Sequence, residues 1–130
     1  MTDEQNVAVV RRFLDAVNTG NLEALGDLFA EDGINHRPTG PERGLGALRQ
    51  FVKSVRRRIP DLSVTVEEMI AGGDQVGVRV TLRGTSADGQ SITAPGIQMY
   101  RIAEGKIAER WYVVARSALP PAAPVTPESI

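Results

Sequence analysis

The chain has 130 residues, 42% of them hydrophobic, with 15 Lys or Arg against 16 Asp or Glu; this fits one compact domain with its own core. A formal charge of -1 offers no electrostatic footprint for nucleic acid or for an anionic membrane. The lack of cysteine excludes disulfides, thiolate catalysis and Cys-ligated zinc, and fits a reducing cytoplasm.

The opening MTDEQN is acidic and polar, unlike a signal peptide, and no apolar run approaches the roughly 20 residues that span a bilayer. From Asp3 to Val17, apolar residues at Val7, Val10, Leu14 and Val17, widened by Val9 and Phe13, predict an amphipathic helix that stops near Gly20. Asn21 reads as the N-cap of a short second helix with Leu22, Leu25, Leu28 and Phe29 on its apolar face, and Asp32-Gly33 as the turn out of it. Ile34 to Arg37 is a short strand or an extended lip. Two prolines and three glycines between Pro38 and Gly46 predict a loop at a pocket mouth. Leu45, Leu48, Phe51, Val52, Val55 and Ile59 then outline a third helix, which Pro60 stops. Its Arg56-Arg57-Arg58 run reads as a solvated helix end that complements the helix dipole.

Beyond Pro60 the period changes to two. Leu62, Val64 and Val66 alternate with polar residues, as do Val76, Val78, Val80 and Leu82. Two further strands, from about Ser91 to Ile102 and Lys106 to Arg116, are divided by Glu104-Gly105. Three helices followed by a largely antiparallel meander define an α+β fold. The domain is set at residues 1–119, and residues 120–130 as a loose Pro-rich tail.

A hairpin turning at Glu104-Gly105 gives facing residue numbers that sum to about 209 or 210. Gln98 then lies opposite or diagonal to Tyr112, sharing a face with Ala94, Gly96, Tyr100, Arg110 and Val114. Small residues leave volume and Gln98, Tyr100, Arg110 and Tyr112 supply polar tips, a wall suited to a small apolar ligand carrying a carbonyl or hydroxyl. Trp111 falls on the other face, as core if helices cover it and as a dimer contact if they do not. This placement assumes a hairpin without a bulge; one extra residue would replace Tyr112 by Trp111 on the inner face. Gly96, beside Pro95, is either a bulge or bend of a curved sheet or a relief point where strand and helix cross.

His36 is the single histidine, set beside the mouth loop, and histidine is the residue type whose ordinary chemistry suits proton transfer near neutrality. Asp61 is placed to pair with it, or serves as a turn residue. Glu68 shares parity with Leu62, Val64 and Val66, so it is either a buried acid of raised pKa or an exposed strand end. Arg79 is either solvated or cavity-lining. One His, no Cys and no clustered carboxylates give no metal-ligand spacing, and no phosphate-loop motif occurs.

Residues 4–119 resemble the SnoaL-like polyketide cyclase family of the NTF2-like superfamily. The likeness lies in VRRFLDAVNTGNLEALGDLFAEDGINH, GLGALRQFVKSVRRRIPDLSVTVEEMIAGGDQVGVRVTLRGT and GIQMYRIAEGKIAERW, in that order and spacing. The resemblance implies a cone-shaped α+β barrel, with N-terminal helices packed on a curved, mainly antiparallel sheet around an apolar pocket, and commonly a homodimer. It also implies cofactor-free, metal-free ring closure by intramolecular aldol condensation, although relatives include hydroxylation-associated proteins, epoxide hydrolases, ketosteroid isomerase and noncatalytic proteins. Aligning RIAEGKI with the family's turn places the family's histidine at Gln98 and its aspartate base at Tyr112. Neither identity is kept, and an amide cannot abstract a proton.

The expectation is therefore a SnoaL-like, cofactor-independent enzyme acting on a small apolar oxygenated metabolite, by cyclisation, isomerisation or hydration-type chemistry. Tyr112, His36 and Asp61 are its candidate proton carriers; Gln98, Tyr100, Arg110 and Gly96 are its candidate binding residues. The alternative is a noncatalytic hydrophobic-ligand-binding protein of the same fold.

Overall fold

The computed structural model describes residues 1–115, so the end of the domain at 119 and the expected tail over 120–130 lie outside the described residues. Helix α1 spans Asp3–Thr19. Thr2 and Gln5 form a capping box at its start, and Gly20 closes it in the left-handed conformation, φ 70°. Helix α2 is a single turn, Leu25–Leu28, shorter than expected. The Asn21 side chain accepts from the Ala24 amide at 3.2 Å, so its cap closes a turn ahead of the helix, and Phe29 already takes extended backbone.

Strand β1 runs Phe29–Arg37 straight through Asp32-Gly33, which therefore do not form a turn. Gly33 is required there for space, because a Cβ would lie 2.4 Å from the ring of Phe29. The expected mouth loop instead folds back as strand β2, Gly40–Arg43, pairing Arg37 with Gly40 and Ile34 with Arg43. Helix α3 spans Leu45–Arg58, with Ile59 as its C-cap and Pro60 just beyond. Strands β3 (Ser63–Gly72), β4 (Gln75–Thr85), β5 (Ser91–Ala103) and β6 (Lys106–Val114) complete the chain.

The sheet order is β2-β1-β6-β5-β4-β3, with β6 parallel to β1 and every other pair antiparallel. The sheet is open, with β2 and β3 at its edges, and helices cover one face. The β5–β6 hairpin thus occupies the centre, where neighbours on both sides hold its register. Phe13, Leu48, Phe29, Val76, Val80 and Tyr100 are among the core residues between helices and sheet. Two long-range polar ties orient the helices. Asn18 exchanges both amide hydrogen bonds with the backbone of Val64, at 2.7 and 2.9 Å, so α1 ends on edge strand β3. Arg56, expected at a solvated helix end, reaches the carbonyls of Val17, Leu62 and Pro60 at 3.1–3.2 Å and joins the ends of α1 and α3.

Two bulges decide which side chains face inward. In β3 the register against β4 shifts between Val66 and Glu68, with Glu67 as the extra residue. Faces exchange there, Met69 turns to the core, and Glu68 emerges beside exposed Arg79 at 3.5 Å. In β6 the turn at Glu104-Gly105 has positive φ at both residues (53° and 77°), which suits a two-residue hairpin. It pairs Ala103 with Lys106 and Ile102 with Ile107, a register that would set Gln98 against Trp111. Ala108 then enters as an extra residue, Arg101 pairs with Glu109, and Gln98 faces Tyr112 directly. The hairpin is therefore bulged, and the bulge is what puts Tyr112 inside.

Candidate active site

The inward groups of β5 and β6 meet helices α1 and α3 around an apolar cavity of about 50 Å³. Its wall includes Phe13, Phe51, Leu82 and Val114, with Gln98, Arg110 and Tyr112 as polar members from the central hairpin. Gln98 and Arg110 are buried, and Tyr112 is 5% exposed. Phe51, half-buried on α3, lies 5.7 Å from the Tyr112 ring, centre to centre, and closes the cavity on the helix side.

A polar chain runs behind this wall. Arg110 Nε donates to the Tyr100 hydroxyl at 3.2 Å, and the Tyr100 hydroxyl donates to Gln98 Oε1. Gln98 therefore keeps its NH₂ end as the donor for the cavity. Arg110 Nη1 donates to Asn35 Oδ1 at 3.0 Å, and the guanidinium carbon sits 4.6 Å from the centre of the Tyr112 ring. Burial raises the Tyr100 pKa above the ordinary phenol value, outweighing the opposing pull of Arg110's charge and hydrogen bond. Tyr100 thus stays a neutral donor at physiological pH.

Of the sequence-predicted residues, Gln98, Arg110 and Tyr112 come together in one wall. Tyr100 supports them from full burial and does not line the cavity. Gly96 does not line it either. The β4–β5 register passes unbroken through it, and a Cβ would meet the Val113 carbonyl at 3.1 Å and Val80 at 3.2 Å, so its role is close strand packing. His36 sits on the opposite face of the sheet, because Asn35 and Arg37 take the inward positions of β1. It stacks on Trp111 at 4.7 Å, and its Nε2 lies 2.8 Å from Glu109 Oε2, so its acidic partner is Glu109 and not Asp61. Asp61, at the loop before β3, accepts from the amide and hydroxyl of Thr85, both at 2.8 Å, and these bonds lower its pKa. The structure brings neither His36 nor Asp61 to Tyr112. Among the described residues lining the cavity there is no Asp, Glu or His.

Asn35 and Phe51 were missed as site residues. Asn35 follows from parity once β1 is known to extend back to Phe29, while Phe51 is indistinguishable in sequence from the rest of α3's apolar stripe. Among the described residues no group of three His, Asp or Glu is placed to hold a metal ion, and no helix is long and apolar enough to cross a membrane.

Helices over one face of an open mixed sheet, with an apolar cavity against its central hairpin, define a small α+β pocket protein. The chain belongs to the SnoaL-like domain family, whose model matches residues 10–110. Among solved structures it is similar to a Bacillus cereus protein assigned as a polyketide cyclase, at 26% identity over 88% of this chain and 77% of that one, TM-score 0.79. IdmH of Streptomyces antibioticus, also assigned as a polyketide cyclase, is similar at 23% identity over 88% and 94%, TM-score 0.81. A SnoaL-like polyketide cyclase from Agrobacterium tumefaciens is similar at 20% identity over 91% and 95%, TM-score 0.79. At those identities the last two speak for the fold alone.

Proposed function

We propose that this protein is a cofactor-independent enzyme of the cyclase type, acting on a small, largely apolar oxygenated metabolite of polyketide character. The observation that carries the reading is the opposed pair Gln98 and Tyr112 in an apolar wall, at the centre of a fold shared with polyketide cyclases. Both side chains carry hydrogen-bond donors, so they suit an oxygen that gains negative charge in the transition state. A methylene between two carbonyls enolises readily, and such a substrate supplies its own carbon nucleophile without a carboxylate base. The enol carbon attacks a second carbonyl carbon, the C=O π pair moves to oxygen, and Tyr112 protonates that oxygen. The proton released from the enol hydroxyl returns to Tyr112 through water, so ring closure is a net isomerisation.

The test is conversion of a short linear poly-β-ketone, followed by NMR, against the uncatalysed background. Tyr112→Phe and Gln98→Ala should each slow it by about 100-fold or more. A wild-type rate equal to background, or a Tyr112→Phe rate equal to wild type, refutes this mechanism.

A second reading, a noncatalytic binder of hydrophobic ligands, is favoured by the lack of Asp, Glu or His among the described residues of the lining. It expects saturable binding of the same ketones with no conversion.

The proposal includes a homodimer formed through the uncovered face of the sheet. Ile97, Met99 and Val113 are 54%, 40% and 58% exposed there, around the half-buried Trp111. Met99 pairs with Trp111 and Ile97 with Val113 across β5 and β6, so the patch is continuous. Oppositely charged side chains, Arg79 and Glu68, flank it and suit a two-fold related copy of the same surface.

A further inference from the structure

Arg110 is 7% exposed and lines the cavity, yet its hydrogen-bond partners are both neutral, the Tyr100 hydroxyl and Asn35 Oδ1. Aromatic faces complete its surroundings: Tyr112 at 4.6 Å, Phe13 at 5.5 Å and Tyr100 at 5.8 Å. Other arginines of the same sheet are treated differently. Arg37, on the inward face of β1, has Glu42 at 3.1 Å, and Arg101 has Glu109 at 2.8 Å. Arg56 lines the same cavity without a carboxylate, but it is half-exposed and bound to carbonyls at helix ends, where a cation is favoured. Arg110 has neither compensation. A guanidinium keeps its charge in proteins, and a buried charge held by neutral dipoles and ring faces, without a counter-charge, is costly.

The guanidinium still has donors to spend. Nε and Nη1 serve Tyr100 and Asn35, and Nη2 has no partner among the described residues. Among the described residues, two guanidiniums, one amide and one phenol line the cavity against no acid. In this state its volume of about 50 Å³ suits a head group more than a whole substrate.

We propose that the cavity selects ligands bearing a carboxylate, with Arg110 supplying the missing counter-charge. The substrate class is then a small keto acid whose carboxylate is held at Arg110. This rests on the reading of the cavity as the ligand site, and it holds whether or not turnover follows. Arg110 acts here as a specificity-determining residue, and Gln98 and Tyr112 remain the groups that face the reacting oxygen.

The experiment compares benzoate with benzamide, two probes of nearly equal shape that differ in charge, by calorimetry on the full chain. NMR shifts of the Phe51 and Tyr112 rings locate the binding. Wild type should prefer benzoate by about 10- to 100-fold, as a charge-assisted bond to a buried guanidinium implies. Arg110→Gln should abolish that preference, and Arg110→Lys should keep its sign at reduced size. Equal binding of the two probes overturns the proposal while leaving the cavity reading intact; shifts from neither probe overturn both. A preference that survives in folded Arg110→Gln overturns the assignment to this residue. Thermal unfolding supplies an independent arm. Without ligand, Arg110→Met, which leaves Asn35 Oδ1 without its donor, should still fold with only a modest loss of Tm, and failure to fold would mark Arg110 as a structural cation and overturn the proposal.

Discussion

Tyr100 donates to Gln98, two positions back along β5, and accepts from Arg110 on the neighbouring strand. One fully buried hydroxyl thereby fixes the orientation of two cavity-lining side chains. It occupies the carbonyl end of the Gln98 amide, which leaves the NH₂ end for a ligand oxygen. It also occupies one edge of the Arg110 fork, with Asn35 on another. The wall is thus made of donors whose directions are set before any ligand arrives, as stabilisation of a developing oxyanion requires.

Removing that hydroxyl should cost stability before it costs anything else. Tyr100→Phe keeps the ring and its edge contact with Phe13, 5.8 Å between centres, but strands Gln98 Oε1 and Arg110 Nε in a buried site. Each unsatisfied group costs about 1–3 kcal/mol. Urea unfolding should show a lower midpoint with an unchanged slope. A Tyr100→Phe variant as stable as wild type would mean that the chain of hydrogen bonds has no structural weight.

The elements of this fold were readable wherever the apolar period was long and uninterrupted. Helices α1 and α3 and strands β4 and β5 follow their patterns, since one buried face per element leaves little choice. What escaped were places where one side chain overrides local chemistry. Asp32-Gly33 has the composition of a turn, but Gly33 serves to pass the Phe29 ring. Pro38–Gly46 has the composition of a loop, yet part of it pairs with β1. The bulges at Glu67 and Ala108 leave no mark of their own in the sequence, and each reverses a face. The pairing of Gln98 with Tyr112 was reached because both candidate registers kept Tyr112 within reach. The placement of His36 was not, since its face depends on β1 lying beside β6, a parallel contact between strands far apart in the chain.

The acid side of the stability profile should carry the signature of Glu109. Its hydrogen bond with His36, and then that with Arg101, hold its pKa below the ordinary carboxylate value. In the unfolded chain the carboxyl returns to the usual range, near 4.3. The unfolded state therefore binds more protons through this interval, and stability falls as pH drops. The contribution is fully present above the unfolded pKa and is lost as pH falls through the folded one. Glu109→Gln should be less stable than wild type at pH 7, and the gap between their urea midpoints should shrink by pH 3. A gap that stays constant across that range would assign the effect to packing.

The face that carries Glu109 also bears on assembly. Ile70, Gly77, Met99, Trp111 and His36 lie in one row across five strands, since each is the registered partner of the next. Gly77 leaves room in that row, and the Met99 sulfur lies 3.6 Å from where its Cβ would stand. Ile70 at one end is 69% exposed, and the His36–Trp111 stack stiffens the other. A partly apolar row of this kind in the middle of a sheet suits contact with its own copy, with strands crossing and polar residues at the rim. Light scattering should therefore give twice the chain mass of 14.0 kDa. Met99→Glu and Val113→Glu place a charge at the centre of the row on side chains already reached by water, so they should halve the particle mass with little change in circular dichroism. A wild-type protein that runs as a monomer at micromolar concentration, or glutamate variants that remain dimers, would refute an interface on this face.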